Sequence, residues 1–221
     1  MGVCLSWAVI KGCGKDPVQD LLGLRGTGTL SEVPDSDLNG ATLPDGSYVI
    51  VSARDRLQLA TQDVAARWLS GLGETIVCFV EEHTMCSYAA SWRGGRRLWC
   101  IFHEAGRGDV MHLESEGQLP ACFAEVYKDL RSQQQLQSQA KYGVDYIFEI
   151  PVEVACREGG YRYNEDLPGP VANAFEELVK GSEARTREAG AGPVGVTDFS
   201  GSDFAGKPPS WWSWRRWLLR P

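Results

Sequence analysis

The residues best suited to bind a ligand fall in one short stretch of the chain. Glu81, Glu82 and His83 follow one another at the end of an apolar run, and His103 and His112 come later. His83, His103 and His112 are the three histidines of the protein, and they fall within 30 residues. Carboxylates beside an imidazole can exchange protons, accept hydrogen bonds or bind cations. We therefore expect this stretch to line the functional surface.

Two indoles lie close to these groups in the sequence, at Trp92 and Trp99. Large aromatic side chains are enriched where proteins bind partners. The candidate binding residues are therefore Glu81, Glu82, His83, Trp92, Trp99 and His103. No residue is assigned a catalytic role, and the chain is expected to be a binding protein more readily than an enzyme.

Metal binding and thiol chemistry are the alternatives for this stretch. A two-residue loop at Gly106-Arg107 would place His112 on the same sheet face as His103, whereas a three-residue loop would place it on the other face. Cys86 could pair with His83 or His103 as a nucleophile, but thiol reactivity needs an electropositive setting. Because turn length alone can destroy a metal site, we predict no bound metal and no cofactor. In the simplest alternative these side chains are merely solvated at sheet edges.

Hydrophobic patterning predicts the elements that position these residues. The predicted strands are Cys4–Ile10, Ser47–Ser52, Thr75–Glu81, Met85–Trp92, Arg97–His103, Asp109–Glu114 and Tyr146–Ile150. The predicted helices are Asp16–Leu22, Thr61–Leu69, Pro120–Gln137, Pro151–Arg157 and Val171–Val179, and 26–46 is predicted to be a loop. In the second helix, the expected apolar face consists of Val64, Ala65, Trp68 and Leu69.

This order of elements indicates an α+β fold. Tight turns such as Gly94-Gly95 favour antiparallel neighbours, so the middle of the chain is predicted to be a β-meander in a mostly antiparallel sheet. The helices are expected to pack on one face of that sheet. We predict one domain over residues 1–181, a disordered linker over 182–210 and a Trp/Arg-rich tail over 211–221.

Charge is distributed unevenly between the body of the protein and its tail. The net charge is −7, but residues 181–221 hold six of the 22 basic and four of the 29 acidic residues. Residues 1–180 therefore carry 16 basic and 25 acidic residues, a net of −9. An acidic body repels nucleic acid, which we do not expect as a partner, and speeds encounter with a basic protein.

Seven cysteines are present, an odd number with no CxxC pair. Several lie inside apolar runs, which favours buried free thiols in a reducing compartment. The first residues do not match a secretory signal, and no apolar run is long enough to span a bilayer. We therefore expect a cytoplasmic protein.

The C-terminal end combines indoles with positive charge. Four tryptophans, three arginines and no acidic residue fall within the last eleven residues. This composition suits a membrane surface or a partner groove. The predicted tail contacts are Trp211, Trp212, Trp214, Arg215, Arg216 and Trp217.

The motif VEEHTM…SW-R-GGRRLW…H, together with MGVCLSW and DYIFEIPVE, resembles a family of uncharacterised bacterial proteins with a VEEH…W…G…W…H pattern. The resemblance covers residues 1–166 and implies a bacterial cytosolic protein. It implies no known activity for any residue.

Three functional hypotheses follow from these observations. The first is an acidic domain that binds a basic protein partner, in the manner of immunity proteins that neutralise toxins. The second is a small enzyme or ligand-binding domain that uses the Glu/His cluster at a sheet edge. The third is a membrane-surface protein anchored by its tail.

Overall fold

A nine-stranded antiparallel sheet dominates the part of the chain that the structure describes. The structure is a computed structural model, and it describes residues 2–137, 144–167 and 174–181. The strands are β1 (Cys4–Ile10), β2 (Leu24–Ser31), β3 (Leu38–Thr42), β4 (Tyr48–Ala53), β5 (Thr75–Glu81), β6 (Cys86–Arg93), β7 (Arg96–Glu104), β8 (Glu114–Gly117) and β9 (Phe175–Lys180). Their order in the sheet is β2-β9-β3-β4-β1-β5-β6-β7-β8, so β1 lies between β4 and β5.

The helices divide between the two faces of this sheet. They are α1 (Lys15–Leu22), α2 (Asp63–Leu69), α3 (Phe123–Gln137) and α4 (Glu149–Gly159). Side chains of α1 and α2 pack into one hydrophobic cluster, here called the first core. Side chains of α3 and α4 pack into another, the second core. The sheet is therefore covered on both faces.

Burial on both faces explains why the central strands are continuously apolar. In β1, Ala8 and Ile10 belong to the first core, whereas Trp7 and Val9 belong to the second. All four are fully buried. Successive strand residues point to opposite faces, so a strand covered on both sides needs apolar residues at every position.

The α+β fold class, the antiparallel sheet and the central meander β5–β8 are confirmed. The Gly94-Gly95 turn joins β6 to β7, and both glycines have the positive φ that a tight hairpin requires. The expectation that the helices pack on one face is wrong. The central strands are apolar at successive positions, a pattern that requires helices on both faces.

Residues 26–46, which were predicted to be a loop, hold β3 and most of β2, and β9 lies where a helix was predicted at Val171–Val179. β2 pairs with β9 near the far end of the chain, with Leu24 opposite Lys180. β2 is an edge strand that is mostly exposed, so it lacks the apolar signal of the central strands. Long-range pairing overrode the local propensity in both segments.

Two other predicted strands are wrong for reasons of turn chemistry. The Asp145 carboxylate accepts the backbone N–H of Ile147 and of Phe148, each at 3.1 Å, which forms a turn that leads into α4. The strand predicted at Tyr146–Ile150 is therefore a turn and a helix start. At Asp109–Glu114 the Asp109 side chain likewise accepts the Met111 N–H at 2.8 Å, and β8 begins only at Glu114.

The α2 helix begins after Gln62 rather than Thr61, and it buries Ala66 and Leu69. Val64 and Trp68, which were predicted on its buried face, are about half exposed. No helix among the described residues is both long and apolar enough to cross a membrane. The predictions for 182–210 and 211–221 lie outside the described residues.

Candidate functional site

The ends of three neighbouring central strands lie side by side at one end of the sheet. Cys4 at the start of β1 lies opposite Glu81 at the end of β5. On the other side of β1, the backbone N–H of Arg54, just after β4, donates to the Cys4 carbonyl at 2.9 Å. Arg54, Cys4 and Glu81 therefore lie side by side because the sheet order is β4-β1-β5.

A cavity of about 610 Å³ opens beside these strand ends. This cavity is here called the strand-end pocket. Phe79 and Cys4, which belong to or pack against the first core, contribute apolar surface. Arg54, Gln58 and His83 are exposed where they line it. Its size lies within the range of small-molecule sites, and it combines apolar surface with a few charged groups as such sites do.

The loop between β4 and α2 lines this pocket with unusual backbone geometry. Arg54, Asp55 and Gln58 have φ values of 52°, 48° and 53°. The left-handed region costs a residue with a Cβ about 1–2 kcal/mol, so three such residues within five store strain.

The Asp55 carboxylate holds the strained loop in place. Asp55 is buried, and Oδ1 accepts the Ser6 hydroxyl at 2.5 Å and the Ala60 N–H at 3.4 Å. Oδ2 accepts the Thr61 N–H at 3.0 Å. These bonds join the loop to β1 and to the segment before α2, so the carboxylate fixes the wall of the pocket.

Some charged groups of the pocket already bond other side chains or the backbone, and others do not. The Arg54 guanidinium makes no ion pair with another described residue, whereas Arg56 Nε lies 3.1 Å from Asp37 Oδ1 in an exposed pair. Glu81 Oε1 accepts the His83 N–H at 3.0 Å. Exposed interactions of this kind contribute little to the stability of the fold, so a ligand can readily replace them.

Cys4 is not suited to act as a nucleophile. Burial, together with the hydrogen bond to Glu81, raises the pKa of its thiol to about 12. The thiolate is therefore scarce near neutral pH. Cys86, the thiol predicted as a possible partner of His83 or His103, is buried in the first core.

The remaining predicted site residues are not brought to this pocket. Glu82 lies on the other side, where its carboxylate accepts the Val3 N–H at 2.8 Å and the Tyr163 hydroxyl at 2.9 Å. Trp92 and Trp99 are buried in opposite cores. Trp92 lies opposite Thr75, at the far end of β5 from Glu81.

His103 is fully buried and bonded at both ring nitrogens. Nδ1 lies 2.6 Å from the His112 carbonyl oxygen, which can only accept, so Nδ1 carries a proton. Nε2 lies 3.0 Å from Asp145 Oδ2. The pair therefore ties β7 to the turn that leads into α4.

The His112 ring is held beside this pair by different bonds. Its Nδ1 accepts the Glu104 N–H at 3.1 Å, which leaves Nε2 to donate to Glu114 at 3.1 Å. The two histidine rings lie 6.2 Å apart. Among the described residues, no group of three or more His, Cys, Asp or Glu side chains is arranged to hold a metal ion.

A second cavity, of about 270 Å³, lies between α3 and α4. Its arginines are already paired. Arg162 bonds Glu149 and Glu153, and Arg157 bonds Glu153 and Glu125. A ligand there would have to break a connected ion-pair network, so the strand-end pocket is the better candidate site.

Sequence reasoning brought Glu81 and His83 to the site but missed Arg54, Asp55 and Gln58. The charged run that follows β4 was a weak signal, because nothing in it indicates a positive φ. The tail residues 211–221 lie outside the described residues. Comparison with family models, curated proteins and solved structures finds no match to this chain.

Proposed function

We propose that this chain is a ligand-binding domain and that the strand-end pocket is its site. The observation that carries the proposal is the loop of Arg54, Asp55 and Gln58, whose left-handed backbone is held by a buried carboxylate. Strain of this kind persists only where the surrounding structure imposes it, and it clusters at ligand sites.

Binding is favoured over covalent catalysis by the state of the polar groups. The thiol in the pocket has a raised pKa, and the buried His103 is bonded at both nitrogens away from it. The exposed polar groups of the pocket are Arg54, Arg56, Gln58 and His83, which suit hydrogen bonding to a ligand.

The test is a thermal-shift screen of the full chain against a library of small polar metabolites. A true ligand raises the melting temperature of wild type by mass action. It should have little effect on Arg54→Gln and a full effect on Arg96→Gln, a matched change at an exposed arginine of the β6–β7 turn. A ligand whose effect is the same in both variants binds elsewhere, which would contradict the proposal.

A second function, binding of a basic protein, is favoured by edge strand β2. Among the described strands β9 alone pairs with β2, so no described strand covers the outer edge of β2 and an extended segment could pair there. Leu30 and Val33 are each 57% exposed beside it, and Glu32 and Asp35 follow in the exposed loop. Together with the net charge of −9 on residues 1–180, these features suit an extended basic segment.

Charge reversal at Glu32 and Asp35 tests this second function. A basic partner should bind the variant more weakly, with a slower association and a weaker dependence on salt than for wild type. Unchanged association kinetics would exclude this edge as the partner site. The strand-end pocket is unaffected by these changes, so the two functions are separable.

A further inference from the structure

The strand-end pocket carries opposite charges at its two sides. Arg54 follows β4, and Glu81 ends β5, with Cys4 of β1 between them. Neighbouring strands lie about 4.8 Å apart, so the two backbone positions are separated by about 10 Å. Arg54 and Glu81 therefore form a cationic and an anionic wall across the pocket.

Both charges lie on the face of the sheet that carries the first core. Glu81 is two residues after Phe79, so it points to the same face, and both line the cavity. Cys4, which packs against the first core, lies between the two charged walls. A ligand in the pocket would therefore meet Arg54 at one end and Glu81 at the other.

Each charge retains capacity for a ligand. Arg54 has no ion pair with another described residue, and its guanidinium offers five N–H donors. Glu81 accepts from the His83 N–H and from the Cys4 thiol, while a carboxylate has about four acceptor positions. Asp55 is bonded to three donors and buried, so it does not compete with Glu81 for a ligand cation.

The geometry points to a zwitterionic ligand of about the length of a tripeptide, with its carboxylate at Arg54 and its ammonium at Glu81. This inference rests on the proposed function of the pocket. An extended chain advances about 3.3–3.6 Å per residue, so three residues span about the distance between the two backbone positions from which the charged side chains extend. The cavity of about 610 Å³ accommodates such a chain.

Ligands with a single charge fit less well. A simple anion would be attracted by Arg54 but repelled by Glu81 and by the acidic body of the protein. The other arginine of the lining, Arg56, is already paired with Asp37. A simple cation would meet Glu81 but be repelled by Arg54, whereas a zwitterion places a countercharge at each wall.

Trialanine and its capped forms test this inference by calorimetric titration of the full chain. Trialanine should bind, whereas N-acetyl-trialanine and trialanine amide should each bind at least about tenfold more weakly, because each loses one charge-assisted contact. Arg54→Gln should lose the discrimination against the amide but keep that against the acetylated peptide. Glu81→Gln should show the reverse pattern.

Matched substitutions far from the pocket provide the controls. Arg96→Gln and Glu125→Gln change exposed side chains and should reproduce the wild-type preferences. Capped peptides that bind as tightly as trialanine would overturn the zwitterion while leaving the pocket as a binding site. The zwitterion is also overturned, with the pocket still a binding site, if trialanine does not bind and the metabolite screen yields a singly charged ligand whose binding depends on Arg54. If neither the peptides nor the screen yields a ligand that depends on Arg54, the zwitterion and the proposed function are both overturned.

Discussion

Two regions of this protein use the same kinds of side chain for different ends. In the buried pair of His103 and Asp145, ring and carboxylate bond each other and the neighbouring backbone. In the strand-end pocket, Glu81 and His83 lie beside an arginine that has no ion pair with a described residue. Polar groups that are bonded to one another and shielded from water indicate a structural role, whereas exposed groups beside a strained loop indicate binding.

The largest effect on the stability of the fold is expected from substitution of His103, in its buried pair with Asp145. His103→Ala should lower the free energy of unfolding by about 3–5 kcal/mol, because it empties a fully buried site and removes the bonds of the ring to the His112 carbonyl and to Asp145. The measurement is urea denaturation of wild type and variant. A loss below about 1 kcal/mol would remove the distinction between the two regions.

Asp145→Asn is the matched control at the same site. An amide can still accept the backbone N–H groups and can donate to the His103 ring, so the loss should be only about 1 kcal/mol. If Asp145→Asn is as damaging as His103→Ala, the negative charge rather than the hydrogen bonds stabilises this region.

The next largest effect on stability is expected at Asp55, which is both a buried structural residue and a support of the binding pocket. Asp55→Ala should cost about 2–3 kcal/mol in the free energy of unfolding, because it removes three hydrogen bonds to a buried carboxylate. It should also abolish binding in the pocket, since the loop loses its support. Asp37→Ala removes only an exposed pair with Arg56 and should change stability by less than about 0.5 kcal/mol.

Much of the fold could be predicted from the sequence because the central strands carry strong local signals. β1, β5, β6 and β7 are apolar runs, with Gly94-Gly95 marking the turn between β6 and β7, and each strand was located to within one or two residues. β2 and β9 could not be predicted, because they pair with each other across most of the chain. Local patterning contains no record of such a contact.

The candidate site was predictable only in part, for a related reason. Glu81 and His83 stand out as polar residues at the end of an apolar strand. Arg54 reaches them only because β1 inserts between β4 and β5, which depends on the sheet order. The buried position of His103 follows from Asp145, 42 residues later, which no local pattern indicates.

A smaller effect, of opposite sign, is expected from relieving the loop strain. Gln58→Gly should raise the free energy of unfolding by up to about 1 kcal/mol, because glycine adopts a positive φ without a Cβ clash. Gln62→Gly, at an extended residue with φ of −133°, should give no gain. Equal effects at the two positions would show that the loop stores no strain.

The smallest stability effect is expected at the charged walls of the pocket. Arg54→Gln should change the free energy of unfolding by less than about 0.5 kcal/mol, because the side chain is exposed and has no ion pair with a described residue. The central claim is that this arginine serves binding, and it is tested most directly by the ligand-induced shift in melting temperature of Arg54→Gln beside wild type. The account predicts an unchanged melting temperature without ligand and a lost shift with it. A variant that is destabilised without ligand, or that shifts as much as wild type, would contradict it.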